Sequence, residues 1–229
     1  MSAMGIHQSH QSGPKSSGVW SARFVGSVVF ALLICGLSFA FDGAVIEWVK
    51  AHDSKPLKVI AGFLSRWGDW PELMLYGVIG LWISWIARRG QLFKVLVGMM
   101  IAATIAGAVV NSVRLVSGRA RPDNLEAVKE WNGLWDGNDF LLFKNKYHSF
   151  PSGHSGAAFA FFGVPVFANR RDWWPLLLAA SIGWSRIYLN VHHLSDVVVG
   201  ACVGIIIAAL VWRRLRPVAG RLSGNGRVR

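Results

Sequence analysis

Long apolar runs, broken only at their ends by charge, proline or tryptophan, restrict this chain most. A run of that kind in a bilayer must satisfy its own backbone hydrogen bonds, so it coils into a helix. Six such runs stand out: Ala22 to Phe41, Leu73 to Ala87, Leu92 to Val113, Ser155 to Ala168, Trp173 to Leu189 and Leu194 to Trp212. The 229 residues are 53% hydrophobic and 16% charged and include twelve tryptophans, a composition that excludes an ordinary soluble domain. The expected fold is all-α, a polytopic membrane bundle of six transmembrane helices over residues 20–214. A disordered polar tail over 1–19 precedes it and a basic tail over 215–229 follows. No small-residue cleavage site follows the polar tail, so the first run reads as an uncleaved span.

Charge gives the orientation. Arg88, Arg89 and Lys94 lie between spans two and three, Arg170 and Arg171 between spans four and five, and Arg213 and Arg214 after span six. Short basic connections stay cytoplasmic, which places both termini inside. The same bias accounts for the formal net charge of +12 and removes the need to invoke nucleic acid. Trp20, Trp82, Trp85, Trp173, Trp174 and Trp212 fall near the inner ends of spans, as interfacial anchors do. Cys35 and Cys202 each sit in an apolar run, where a thiol acts as a small hydrophobe.

Three connections then face outward. The first carries Leu57, Ile60, Ala61, Leu64 and Trp67 at helical spacing, with Lys58, Ser65 and Arg66 between them, and reads as an amphipathic helix at the interface. The second, Arg114 to Pro151, holds Trp131, Trp135 and Phe140 to Phe143 and has the length of a substrate-facing lid. Arg119 and Asp123 within it read as solvated loop charges, and His148 as a plain loop residue.

Unusual polar residues gather at these outer ends: Arg114 and Arg121-Pro122 after span three, Pro151-Ser152-Gly153-His154 opening span four, and Ser185-Arg186 with His192 and Asp196 joining spans five and six. Three guanidiniums on one surface repel unless an anion joins them, and their forked donors match phosphate oxygens. Pro-Ser-Gly-His reads as a helix start, with Ser152 as cap and Gly153 permitting close backbone approach, so that free N–H groups face an anion. His192 and Asp196, four apart, stack on one helical face, where the carboxylate holds one imidazole nitrogen and frees the other for attack on phosphorus. Arg114, Arg121 and Arg186 stabilise the transferring group and His154 protonates the departing oxygen. No carboxylate cluster suited to Mg²⁺ or Zn²⁺ is evident, so neither metal nor cofactor is expected. Gly200, Gly204 and Ala208 continue the stripe of Asp196, which turns that face towards the bundle. Asn111 lies on the small-residue face of span three and reads as packing glue.

These residues resemble the three-part signature of the type 2 phosphatidic acid phosphatase superfamily: Lys, six residues, Arg-Pro; Pro-Ser-Gly-His; and Ser-Arg, five residues, His, three residues, Asp. Arg121-Pro122, Pro151 to His154, Ser185-Arg186, His192 and Asp196 match position by position, and Arg114 stands where the family usually has Lys. His193, also within helical reach of Asp196, is set aside because the family spacing selects His192. The resemblance implies a metal-independent integral-membrane phosphatase acting through a phosphohistidine on a lipid phosphate or diphosphate. Undecaprenyl diphosphate, phosphatidylglycerophosphate, phosphatidic acid and lipid A are the candidates. A bacterial inner membrane with the active site facing the periplasm is the expected setting. Phosphotransfer to an acceptor lipid and a non-catalytic lipid-binding role are the alternatives.

Overall fold

The computed structural model describes residues 22–125, 129–169 and 172–223. The tail assigned to 1–19, Trp20, Arg170, Arg171 and the last six residues of the basic tail lie outside them. Among the described residues there are seven α-helices: α1 (Ala22–Ala51), α2 (Lys55–Trp67), α3 (Trp70–Ile86), α4 (Gly90–Ser117), α5 (Gly153–Ala168), α6 (Pro175–Tyr188) and α7 (Leu194–Ser223). Six of them coincide with the six apolar runs, and α2 is the amphipathic helix of the first connection. By length and composition α1, α4 and α7 can each cross a membrane, and α5 is apolar but shorter.

Three helices outrun their expected ends, and α4 does so by one turn, to Ser117, taking in Arg114. Instead of stopping at Phe41, α1 carries Asp42 into its interior, which an apolar span tolerates because that carboxylate is bonded inside the protein. Helix α7 continues past Arg214 to Ser223.

The core is built by α4, α5 and α7 and is made of small side chains. Ala102, Ala103, Ala106, Ala158, Ala160 and Ala208 are fully buried. Lipid offers apolar side chains as good a home as the interior does, so helices in a membrane gain by letting backbones approach, which small residues allow. The stripe from Asp196 does this: a Cβ on Gly200 would lie 2.6 Å from the Ser152 carbonyl oxygen, and one on Gly204 would lie 2.5 Å from that of Gly156. Contacts that advance together along both helices make α5 and α7 parallel. Gly156 against Val110 and Gly98 against Val164 make α4 and α5 antiparallel. The start of α5, the start of α7 and the end of α4 therefore meet at one end of the bundle. Trp212 is buried in the core instead of serving as an interfacial anchor, whereas Trp82, Trp85, Trp173 and Trp174 are exposed.

The connection between α4 and α5 is folded onto the helices. Gly118, with φ +60°, ends α4 in the left-handed conformation against the backbone of Gly133, where a side chain would collide. A short hairpin of β1 (Trp135–Asp136) and β2 (Asp139–Phe140) follows, a small departure from an all-helical chain. Ala120, Leu141 and Tyr147 form a separate small core beneath it.

Because backbone meets the missing Cβ at Gly204, Gly204→Ala is expected to destabilise the protein by roughly 1–3 kcal/mol. Gly36→Ala, where nothing lies within 4 Å of the added carbon, serves as a neutral control. Thermal unfolding in detergent checks this, and equal melting temperatures for the two variants would contradict the packing.

Candidate active site

One guanidinium organises the end of the bundle where α4, α5 and α7 meet. Arg119, expected to be a solvated loop charge, is 1% exposed. Its Nη1 donates to Asp196 Oδ1 at 2.6 Å and Ser195 Oγ at 2.6 Å, and its Nη2 donates to Asp42 Oδ2 at 2.7 Å and Glu130 Oε1 at 2.6 Å. The plane stacks over Trp131, 4.7 Å from the ring centroid. Asp42 also accepts from the Ser195 backbone N–H at 2.8 Å, so α1 caps the first turn of α7. Burial lowers the pKa of such a group, but Asp196, Asp42 and Glu130 raise it further, and the net displacement of Arg119 is upward. Three carboxylates within hydrogen-bond reach were the only signal that could have marked this arginine, and they are scattered over the sequence from Asp42 to Asp196.

His192 lies in the turn before α7, not on the helix, and is 2% exposed. Its Nδ1 is 2.7 Å from the Ser149 carbonyl oxygen and 3.5 Å from Asp196 Oδ2. The neutral ring therefore carries its proton on Nδ1, donated to Ser149, which leaves the Nε2 lone pair available. Asp196 Oδ2 is nearer to other donors: the Ser149 hydroxyl at 2.5 Å, the His193 backbone N–H at 2.8 Å and His193 Nδ1 at 3.2 Å. Asp196 thus holds the walls around His192 as well as standing near its ring. Ser149, which supplies both a carbonyl and a hydroxyl, was not evident in the sequence.

At the start of α5, the Ser152 hydroxyl accepts from the Ser155 N–H at 3.4 Å, the expected cap. The Ser152 N–H donates to the Asp196 carbonyl at 3.0 Å. Ser152 is fully buried by these bonds and shapes the helix start, while Gly153 and His154 line a cavity of about 350 Å³. Arg114 and Asn111 line it too, together with Thr104 and Gly107 of α4 and Asp69 and Trp70 at the start of α3. A Cβ on Gly153 would lie 3.4 Å from both Arg114 Nη1 and Asn111 Oδ1, so the glycine lets the helix start crowd against them.

Arg121 and Arg186 are not part of that cavity's lining, but both lie close enough to Arg114 to act on it or be acted on electrostatically. Arg186 donates to Ser65 of α2, so the amphipathic helix is tied to the site end as well as exposing Val59, Ile60, Phe63 and Trp67. Arg114, Arg121 and Arg186 each keep a buried Nε without a partner among the described residues. Buried cationic donors left open in this way fit an anion of several oxygens. His148 is buried beside Arg114 and Arg121, in contrast to the loop position expected of it. Burial, followed by those two arginines, holds its pKa below the ordinary 6.5. The pKa of His192 is lowered as well, chiefly by burial, with Asp196 opposing.

The family model described as PAP2 superfamily matches residues 91–218. A probable diacylglycerol pyrophosphate phosphatase of Schizosaccharomyces pombe is 31% identical over 195 residues, covering 72% of this chain and 67% of that protein. The undecaprenyl-diphosphatase BcrC of Bacillus subtilis is 39% identical over 172 residues, covering 73% and 81%. The crystal structure of a PAP2-type phosphatidylglycerolphosphate phosphatase from Bacillus subtilis superposes with a TM-score of 0.56 at 20% identity, over 90% of this chain and 98% of that one. Aquifex aeolicus LpxE gives 0.52 at 22% identity, over 76% and 95%.

Two outcomes follow from the geometry. Arg119→Ala strips the buried Asp42 and Asp196 of their shared cation and is expected to cost about 3–5 kcal/mol of stability, read as a fall in melting temperature. His148 and His192 resist protonation in the folded protein, whereas in the unfolded chain they titrate near 6.5. Their contribution to stability is therefore complete above that value and lost as pH falls. The melting temperature should drop between about pH 7.5 and pH 5.5. A flat profile would contradict this, and His148→Gln should shallow the slope. The matched family model, the two relatives and the shared fold together establish that this chain belongs to the PAP2 superfamily, a family of membrane lipid phosphatases.

Proposed function

We propose that this protein is a six-span lipid phosphatase that transfers the phosphoryl group of a lipid phosphate or diphosphate to His192 and then to water, at the outer face of the membrane. The observation that carries the reading is the set of three guanidiniums with open Nε groups around the start of α5, next to an imidazole whose Nδ1 is held by the Ser149 carbonyl. In the first step the Nε2 lone pair of His192 forms a bond to phosphorus as the bond from phosphorus to the leaving oxygen breaks. His154 gives that oxygen its proton. In the second step water attacks the phosphohistidine, His154 takes the water's proton, and inorganic phosphate leaves with His192 restored. Arg114, Arg121, Arg186 and the N–H groups at Gly153 and His154 neutralise the equatorial oxygens, the charge work that a metal does elsewhere.

Arg114 in place of the usual lysine keeps the charge but offers a planar fork, which suits two oxygens of one phosphate. A diacylglycerol pyrophosphate, an undecaprenyl diphosphate, a lipid A phosphate and a phosphatidylglycerophosphate are named for the relatives and fold neighbours, which supports a lipid substrate with a terminal phosphate. The basic connections at Arg88 and Arg89 support the orientation.

Phosphate release by detergent-purified protein over these four lipids and phosphatidic acid, with EDTA present, tests the reading. Release from at least one that persists in EDTA and falls by at least about 10³-fold in His192→Ala is the expected result. Release abolished by EDTA, or unchanged in the variant, would overturn it.

A further inference from the structure

The acid of the proposed reaction stands among cations. Arg114 of α4 and Arg186 of α6 act on His154, and so does His192 from the turn before α7. An imidazole that must hold a proton for the leaving oxygen, in such company, needs an anion of its own beside it. Asp196 cannot be that anion. It lies behind His192, engaged by Arg119, Ser149 and His193.

Among the described residues, the carboxylate within ion-pair reach of His154 is Asp69, whose Oδ1 lies 3.6 Å from His154 Nε2. Asp69 comes from outside the three signature segments, at the first turn of α3. Its side chain caps that helix by accepting from the Trp70 N–H at 2.7 Å, and Trp70 in turn reaches Thr104 of α4 through its indole N–H at 3.3 Å. The carboxylate is thus fixed from its own side, opens onto the same cavity as His154 and Gly153, and is half exposed there.

We propose that Asp69 is the positioning residue of the leaving-group acid: it holds His154 Nε2, so that the imidazolium is oriented and charge-balanced for proton delivery from the ring's other nitrogen. The inference rests on the phosphohistidine reading above. In the balanced step the imidazolium gives one proton to the alkoxide oxygen released from phosphorus, leaves as neutral imidazole beside the Asp69 carboxylate, and recovers a proton from the attacking water. Asp69 itself neither gains nor loses one. Its effect should therefore scale with how badly the leaving group needs protonation.

That scaling separates the role from a structural one. Phosphatidic acid departs as an alcohol and needs the acid, whereas p-nitrophenyl phosphate departs as a stable phenolate and does not. Asn caps a helix as well as Asp does, so Asp69→Asn removes the charge and keeps the cap. The experiment compares the first-turnover rate of leaving-group release, which precedes the water step common to both substrates, for wild type, Asp69→Asn, Asp69→Glu, His154→Ala and His192→Ala, with melting temperatures for each. Asp69→Asn is expected to slow release of diacylglycerol from phosphatidic acid roughly 10- to 100-fold and release of p-nitrophenolate by less than about threefold, with partial recovery in Asp69→Glu. His154→Ala should show the same selectivity and His192→Ala should abolish both. Equal losses on the two substrates, or no loss on either, would overturn the assignment. Release that survives His192→Ala would instead bring down the reading on which it rests.

Discussion

The buried guanidinium of Arg119 is the interaction on which the site end of this helix bundle depends. It joins α1 through Asp42, α7 through Asp196 and Ser195, and the folded connection through Glu130. Burying that many charges is justified energetically only when each lone pair and proton is used, and here the carboxylate oxygens of Asp42 are shared between the guanidinium, the Ser195 hydroxyl and the Ser195 N–H. The consequence reaches the candidate nucleophile. With Asp196 fixed on one side by Arg119, its other oxygen holds Ser149 and His193 in place, and the Ser149 carbonyl then sets the tautomer of His192. A cation that never meets substrate thus determines which nitrogen of the imidazole is available.

Around this hub the charges are layered. Asp42 and Asp196 are gathered on Arg119, and Arg114, Arg121 and Arg186 each keep a buried Nε without a partner among the described residues. The separation keeps Asp42 and Asp196 on Arg119 and off the three guanidiniums that would receive a phosphate, whereas Asp69 shares the cavity with Arg114. It works only because the helix ends coincide, which the small residues between α5 and α7 secure. Gly200 and Gly204 bring the two helices into parallel register, and that register places Ser152 against Asp196. Packing within the bilayer and the geometry of the site are in this sense one property of the chain.

Much of this was legible in the sequence because it depended on local pattern. Apolar length gave the helices, the spacing of Leu57 to Trp67 gave α2, and the Ser152 cap and the glycine stripe followed from residue type alone. What escaped required knowledge of folding at a distance. Asp42 looked like a span boundary because the partner that permits it inside a helix, Arg119, is 77 residues away. Arg119 and His148 looked like loop residues because the connection that carries them appeared long and free, whereas it is bonded to itself at Ala120, Arg121 and Ser149 and to α1 and α7 through Arg119. Ser149 contributes through its carbonyl, which every residue possesses, and no side-chain pattern could have singled it out. Asp69 carried no signal of its own in the sequence, since the histidine it faces belongs to a different helix.

Passage of phosphate through His192 is tested most directly by trapping the proposed phosphohistidine. Protein turning over a lipid carrying ³²P in its terminal phosphate would be denatured in alkali within a turnover, then digested and mapped. An alkali-stable, acid-labile label on the peptide containing His192, absent from His192→Ala, is the expected result. Label on another residue, or sustained turnover with no trapped label under conditions that slow the second step, would contradict it.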